Sequence, residues 1–278
     1  MKTKKLPIKI VTYAVFIAVV IVILFPIYVT VITAFKSPEQ SAGNFFSLPT
    51  SLYLENFKEV MSDENFGYYV VNSLFVAIFS VGLTTLMIPM VSFSIARNKE
   101  RKRYYQFLYA FFVAAIFCPF TVLMVPVAQL CGKLGLMNQG GLILLYAAFA
   151  LGQGVFLFTG YFKSIPLELE EASKIDGCTL MRTYWRIVFP LAKPMTATLA
   201  ILNTLWIWND FQLPLIILNK SAKMWTLPIY QYNFKSAYTF NYNLAFASFL
   251  FSIVPMMLIY AFFQKYIIQG LTAGAVKS

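Results

Sequence analysis

The sequence contains no histidine. A histidine metal site and a histidine general base are therefore excluded. Charge is scarce: 12% of the 278 residues are Asp, Glu, Lys or Arg, against about 25% in an ordinary soluble domain. Cysteine is scarce too. Cys118, Cys131 and Cys178 are scattered, form no CxxC or other ligand spacing, and give no disulfide framework, so inert thiols are the default. No Gly-x-x-x-x-Gly-Lys-Ser/Thr run occurs, so the chain shows no means of binding ATP by itself. The acids that cluster, Glu168, Glu170 and Glu171, suit the first turn of a helix, where its dipole favours them, better than an acid–base pair. There is no enzyme constellation, internal repeat, low-complexity tract or separate soluble domain.

What is abundant is apolar surface. The chain is 59% hydrophobic with a mean hydropathy of +0.70, too apolar for a soluble fold. Apolar runs long enough to cross a bilayer lie at about residues 10–35, 69–96, 104–128, 140–162, 195–218 and 243–264. They predict an all-α integral membrane protein of six spans, one transmembrane domain over 1–278. The first run follows four lysines and mimics a signal peptide. It is about twice too long for an h-region and lacks a small-residue cleavage site, so it reads as an uncleaved span. Pro26, Pro89, Pro119, Pro126 and Pro255 fall inside spans, where proline kinks a helix. Gly152, Gly154 and Gly160 in span four permit close helix approach or line a moving seam. Residues 36–67 form an outer loop with five acids and a short helix expected near 54–61. That loop is as much a plausible docking element as a cover.

The net charge of +11 invites a nucleic-acid reading, but the bases sit in short loops between spans. With the N-terminus inside, sixteen of the 22 Lys and Arg residues fall in segments 1–9, 97–103, 163–194 and 265–278. The outer segments hold six. This asymmetry places both termini in the cytoplasm.

The longest inner segment, 163–194, reads as two short helices joined at Gly177. Ser164 is a candidate N-cap and Pro166 suits a first turn. Gly177 can end the first helix in the left-handed conformation. The second runs from about Leu180 to Val188, ahead of Pro190. Glu171 can pair with Lys174 at i,i+3. Leu167, Leu169, Ala172 and Ile175 offer an apolar surface either to the spans' inner ends or to a partner's groove.

Glu171-Ala172-Ser173, Asp176-Gly177, Ile187, Phe189-Pro190-Leu191 and Pro194 resemble the cytoplasmic loop of permease subunits of ATP-binding-cassette importers. The family usually has Ala at Ser173 and Leu at Phe189. Phe46 to Pro49, Glu55-Asn56-Phe57, Asn72-Ser73, Trp208 to Phe211, Pro214-Leu215 and Thr226-Leu227-Pro228 extend the resemblance to the carbohydrate branch and its maltose-permease G-type subunit. The resemblance implies that the loop is a coupling helix between spans four and five, docking into an ATPase cleft through Glu171, Ala172, Ser173, Asp176, Gly177, Ile187 and Pro190. It implies a second, dissimilar permease, two ATPase subunits that hold ATP and Mg, an extracellular sugar-binding protein and a bacterial cell membrane. This chain would bind no cofactor directly.

Asp210 is the one ionisable residue well inside a span, roughly 22 Å along span five at about 1.5 Å per residue. An acid there faces a cavity or a partner. Asn203, Trp206, Asn209 and Gln212 lie near it in sequence. Aromatics with amides suit sugars, whose ring faces stack and whose hydroxyls need donors and acceptors. The same set also suits an aromatic belt with an acid paired to a neighbouring subunit. Two other readings stand beside the importer: an ion-coupled secondary transporter, which needs an ion-coupling site and finds thin support in one intramembrane acid and no visible repeat, and a non-transporting membrane scaffold. The charge asymmetry makes a direct prediction. In a cysteine-free background, single cysteines at Ser47 and Ser236 are labelled from outside intact cells and one at Ser173 is not. Labelling at Ser173 but not Ser47 inverts the topology.

Overall fold

The computed structural model describes residues 5–234 and 241–275, with side chains over 9–234 and 241–264. Lys2, Lys4, Lys235, Ser236 and Lys277, which carry part of the charge asymmetry or its test, lie outside the described residues. All regular structure in the described residues is helical. The chain is a multi-spanning all-α membrane protein. Four helices are long and apolar enough to cross a membrane by themselves: α1 (Lys5–Ala34), α4 (Phe66–Asn98), α7 (Gln139–Ser164) and α14 (Tyr242–Ala275).

The expected third and fifth spans are broken. α5 (Arg103–Ala115) and α6 (Phe120–Lys133) meet at 106°. Pro119 is the cause. In a continuous helix its ring would collide with the carbonyl four residues back, that of Ala115, where α5 stops. α11 (Lys193–Asn209) ends before Asp210, whose extended backbone leads into α12 (Gln212–Leu218). Pro214 stands four residues after Asp210, so the same collision falls there. The segment Leu180–Leu191 also meets α11 at 73°. Among the described residues the count is therefore four continuous candidate spans, or up to six when each bent pair is one.

Two compact units divide the chain: Met1–Gly67 with Tyr230–Val254, and Tyr68–Ile229 with Pro255–Ser278. In the first, α1 exposes apolar side chains along most of its length, as a helix facing lipid does. Its C-terminal carbonyls are capped by two amides. Asn56 Nδ2 donates to Ala34 O (2.9 Å) and Lys36 O (2.8 Å). Asn243 Nδ2 reaches Thr33 O (3.0 Å) and Lys36 O (2.8 Å). Lys36 is wholly buried and its ammonium donates to Asn44 O, Phe45 O and Ser47 Oγ. Burial pushes its pKa below the ordinary lysine value. The segment 36–67 carries α2 (Pro38–Gly43), capped by Ser37 Oγ, and α3 (Glu55–Ser62), where a short helix was expected. Ser47 is half-buried by this arrangement, so Leu52 (73% exposed) is the better outer label position.

In the second unit, α4, α7 and α11 surround a core that includes Ile88, Phe93, Phe158, Phe162, Tyr184, Val188 and Leu199. Two of the three glycines of span four are there for space. A Cβ on Gly154 would meet the buried Ile88 side chain at 2.6 Å, and one on Gly152 would sit 2.9 Å from the Phe112 carbonyl of α5. Gly160 has open space. Gly152→Ala should lower stability by about 1–3 kcal/mol through overpacking against backbone. Gly160→Ala should be neutral or stabilising by up to about 1 kcal/mol through helix propensity. Thermal unfolding midpoints in detergent separate the two; equal shifts would remove the close-packing role of Gly152.

Candidate functional site

Two polar regions stand out in the second unit, the loop 163–194 and a cluster at α7 and α11. In the loop, α7 runs on to Ser164, whose Oγ donates to Tyr161 O, so Ser164 ends a helix rather than capping the next. Ile165-Pro166-Leu167 connects to α8 (Glu168–Ile175). Gly177 terminates α8 with φ +77°. The Cys178 N–H bonds Ser173 O (2.9 Å) and the Gly177 N–H bonds Lys174 O (3.0 Å), the paired closure of a Schellman motif. Nothing lies within 4 Å of a Cβ built on Gly177. The glycine is required by its backbone angle, not by crowding.

Thr179 caps the next helix, α9 (Leu180–Thr183), accepting from the Arg182 N–H. The chain then widens into a π-turn over Tyr184–Val188, with the Phe189 N–H on Tyr184 O, five residues back. Pro190 explains it: its ring cannot sit over the Arg186 carbonyl, and a π-turn relieves that clash. α10 (Phe189–Leu191) follows. Tyr184 and Val188 are sunk in the core and Ile187 is half-buried.

Inside the loop, Ser173 Oγ donates to Glu170 O (2.8 Å) and lies 2.7 Å from Thr183 Oγ1. With the serine proton on the carbonyl, Thr183 is the donor of that buried pair. It locks α8 to α9. Ser173 is therefore a poor label site, and the reporter for this loop belongs at Ile175, 87% exposed.

The buried acid of α8 is Glu170, not Glu171. Arg97, at the end of α4, donates Nε to Glu170 Oε1 at 2.6 Å, brings Nη2 within 2.6 Å of the same oxygen, and donates Nη2 to Ile165 O at 3.2 Å. A second, exposed pair joins Lys163 to Glu100 at 2.8 Å and holds the Glu100 carboxyl below its usual pKa. No Glu171–Lys174 ion pair forms among the described residues. Glu171, Ala172, Asp176, Gly177 and Pro190 are exposed. So are Leu167, Leu169, Ile175, Leu180, Met181 and Trp185. Of the two placements open for the apolar surface, packing on the spans is thus the one not seen. A groove of about 580 Å³ beside it is lined by Arg97, Arg101, Lys163, Glu170, Glu171 and Lys174, among others.

In the second cluster the Tyr146 hydroxyl of α7 donates to Asp210 Oδ2 at 2.9 Å, and Asp210 Oδ1 accepts the Gln212 N–H at 3.1 Å. Asp210 thus sits at a helix break and finds its partner within the chain. Tyr146 packs edge-on to Trp206, ring centroids 5.3 Å apart. Asn203 Nδ2 donates to Thr84 Oγ1 at 3.0 Å. Asn203 and Trp206 share a cavity of about 170 Å³ with Gln153 of α7. Asn209 turns back on its own helix, to Leu205 O, and Gln212 is exposed at the start of α12. Sequence reasoning missed Tyr146, Gln153 and Arg97. Gln153 alone carried a signal: a lone amide in the middle of a span. Among the described residues no three His, Cys, Asp or Glu side chains converge as a metal site.

Known proteins share this architecture and sequence. A chain from the crystal structure of a bacterial ABC transporter involved in the import of the acidic polysaccharide alginate superposes with a TM-score of 0.82. It covers 96% of this chain and 99% of that one at 23% identity, a likeness of fold. The multiple sugar-binding transport system permease protein MsmG of Streptococcus mutans is 44% identical over 92% of this chain and 93% of its own. The probable starch degradation products transport system permease protein AmyC of Thermoanaerobacterium thermosulfurigenes is 35% identical over 91% of each. Residues 88–273 match the family described as binding-protein-dependent transport system inner membrane component. By that match and by these identities, the chain belongs to the binding-protein-dependent transport system inner membrane components.

Proposed function

We propose that this chain is a G-type permease subunit of an ATP-driven, binding-protein-dependent sugar importer in a bacterial cell membrane, with an oligosaccharide as cargo. Its partners are a second, dissimilar permease, two ATPase subunits and an extracellular sugar-binding protein. α5 with α6 forms the third span and α11 with α12 the fifth, giving six with both termini inside, and 163–194 is the coupling loop between spans four and five. The observation that carries this reading is the exposed apolar face of α8 and α9, held on a frame fixed by the Arg97–Glu170 and Ser173–Thr183 contacts. A face ordered this firmly yet left uncovered suits docking into a groove on an ATPase. Glu171, Ala172, Asp176, Gly177 and Pro190 lie on its exposed side; Ser173 and Ile187 shape it from within. ATP binding would draw two such loops together, turn the pathway outward and release sugar from the binding protein.

Placing Val at Gly177, where φ is +77°, forces a left-handed β-branched residue at a cost of about 1–2 kcal/mol. Ala172→Asp puts a charge into the docking face. Both variants should insert and pair with the second permease, yet lose sugar-stimulated ATP hydrolysis and ATPase co-purification in reconstituted complexes. Full coupled activity in both rejects the loop assignment. Sugar transport by this chain alone, without ATP, rejects the importer and favours a secondary transporter.

The pathway reading assigns Gln153, Asn203 and Trp206 to sugar contact, with Asp210 fixing Tyr146 behind Trp206. Asn209 and Gln212 fit the subunit seam. Asp210→Asn keeps an acceptor for Tyr146 but removes the charge, so the complex should assemble while uptake falls or sugar preference changes. Unaltered uptake and specificity would leave Asp210 a structural role only.

A further inference from the structure

We infer that α4 is a mechanical link between the coupling loop and the segment 223–227, and that Arg97 is the positioning residue joining it to α8. This rests on the permease reading above. α4 is one helix whose two ends are both tied by polar bonds. At the inner end are the Arg97 contacts to Glu170 and Ile165 O, with Arg97 also 5.9 Å from the Phe93 ring centroid. At the other end Asn72 Nδ2 donates to Lys223 O (2.8 Å) and Trp225 O (2.9 Å). Its Oδ1 accepts from Gln139 Nε2 at 2.6 Å. Next to it, Ser73 Oγ accepts the Leu227 N–H at 2.8 Å, and Tyr69 stacks on Trp225.

Asn72 and Arg97 are separated by about 37 Å of helix at about 1.5 Å per residue, enough to cross a hydrocarbon core of about 30 Å. Between them, Thr84 accepts from Asn203 and Ile88 packs where Gly154 leaves room. A displacement of α8 therefore cannot occur without either carrying α4 along or stripping a buried carboxylate of its cation. The second course is strongly disfavoured, because a buried charge without a partner keeps its full desolvation cost. The far end of α4 then carries the backbone of Lys223, Trp225 and Leu227 with it. Neither Arg97 nor Asn72 belongs to the docking face, so both act through position.

The test uses the full complex in proteoliposomes, with this chain cysteine-free except for a label at exposed Lys220. The readouts are sugar moved per ATP hydrolysed and the ATP-driven change in label signal. In complexes that retain the ATPase, Arg97→Gln should move about tenfold less sugar per ATP hydrolysed and lose the label change. Arg97→Lys, which keeps the cation, should recover part of both. Asn72→Leu should uncouple in the same way from the opposite end. A role in stability alone would lower yield but leave the ratio and label change of surviving complexes intact. A normal ratio with a normal label change in Arg97→Gln, or in Asn72→Leu should the first fail to assemble, overturns the link. Absence of ATP-driven uptake in the unsubstituted complex is a different outcome and counts against the permease reading itself.

Discussion

Hydrocarbon offers a peptide group no hydrogen-bond partner, so each place where a membrane helix stops must satisfy its own backbone. Of the interruptions among the described residues, those at Pro119 and Pro214 fall within candidate spans and are set by that constraint, and the one between them, at Pro190 in the 163–194 loop, by proline geometry alone. Pro119 stops α5 at Ala115, Pro190 widens the helix over Arg186, and Pro214 stops α11 at Asp210. Each break carries its own remedy. The Ile116 N–H turns to Val113 O and the Phe117 N–H to Ala114 O, tightening the last turn of α5. Phe189 reaches one residue further back than an α-helix allows. Asp210 supplies a carboxylate oxygen to the Gln212 N–H. The polar residues of the candidate pathway stand close to the third break, because a carboxylate that caps a broken helix is tolerated where a bare one is not.

The same constraint explains what could and could not be read from the chain. Gly177 was legible because a helix end at a glycine has a local signature, and the two short helices around it follow from their caps. Glu170 was not. Three acids in four residues all suit a first turn, and an eight-residue helix has too little periodicity to say which one faces inward. Only the arrival of Arg97, far away in sequence, decides it. Tyr146 and Asp210 are 64 residues apart and meet through the packing of α7, which no spacing rule reports. Proline positions were legible, but their consequences were not. Pro26, Pro89, Pro126 and Pro255 lie inside continuous helices, whereas Pro119 and Pro214 end them. At Asp210 the difference lies in a neighbouring side chain that offers the backbone an alternative partner. Fold class and number of apolar runs survive such ignorance; exact spans do not.

The ties between helices are of two chemical kinds. In each unit neutral amides hold backbone carbonyls: Asn56 and Asn243 on the end of α1 in the first, Asn72 on Lys223 and Trp225 in the second. Each amide donates to two or three acceptors, so the bonds bring no ion into a poorly solvated place. Even the buried ammonium of Lys36 is met by neutral oxygens. At the loop 163–194 the corresponding ties are ion pairs, Arg97–Glu170 and Lys163–Glu100.

A buried ion pair is a weak source of net stability, since desolvation offsets most of its attraction, while an apolar pair of equal volume would hold the helices as well. What a pair such as Arg97–Glu170 adds is intolerance of displacement. Apolar contacts can slide and repack at small cost. A carboxylate 3% exposed cannot leave its guanidinium without a large one. An element that must transmit a movement needs that second property at the point where force enters. It has less need of it at the far end, where several amide bonds share the load. The placement of charge at the loop and amides at the opposite end is the pattern expected of a part that is pushed from one side.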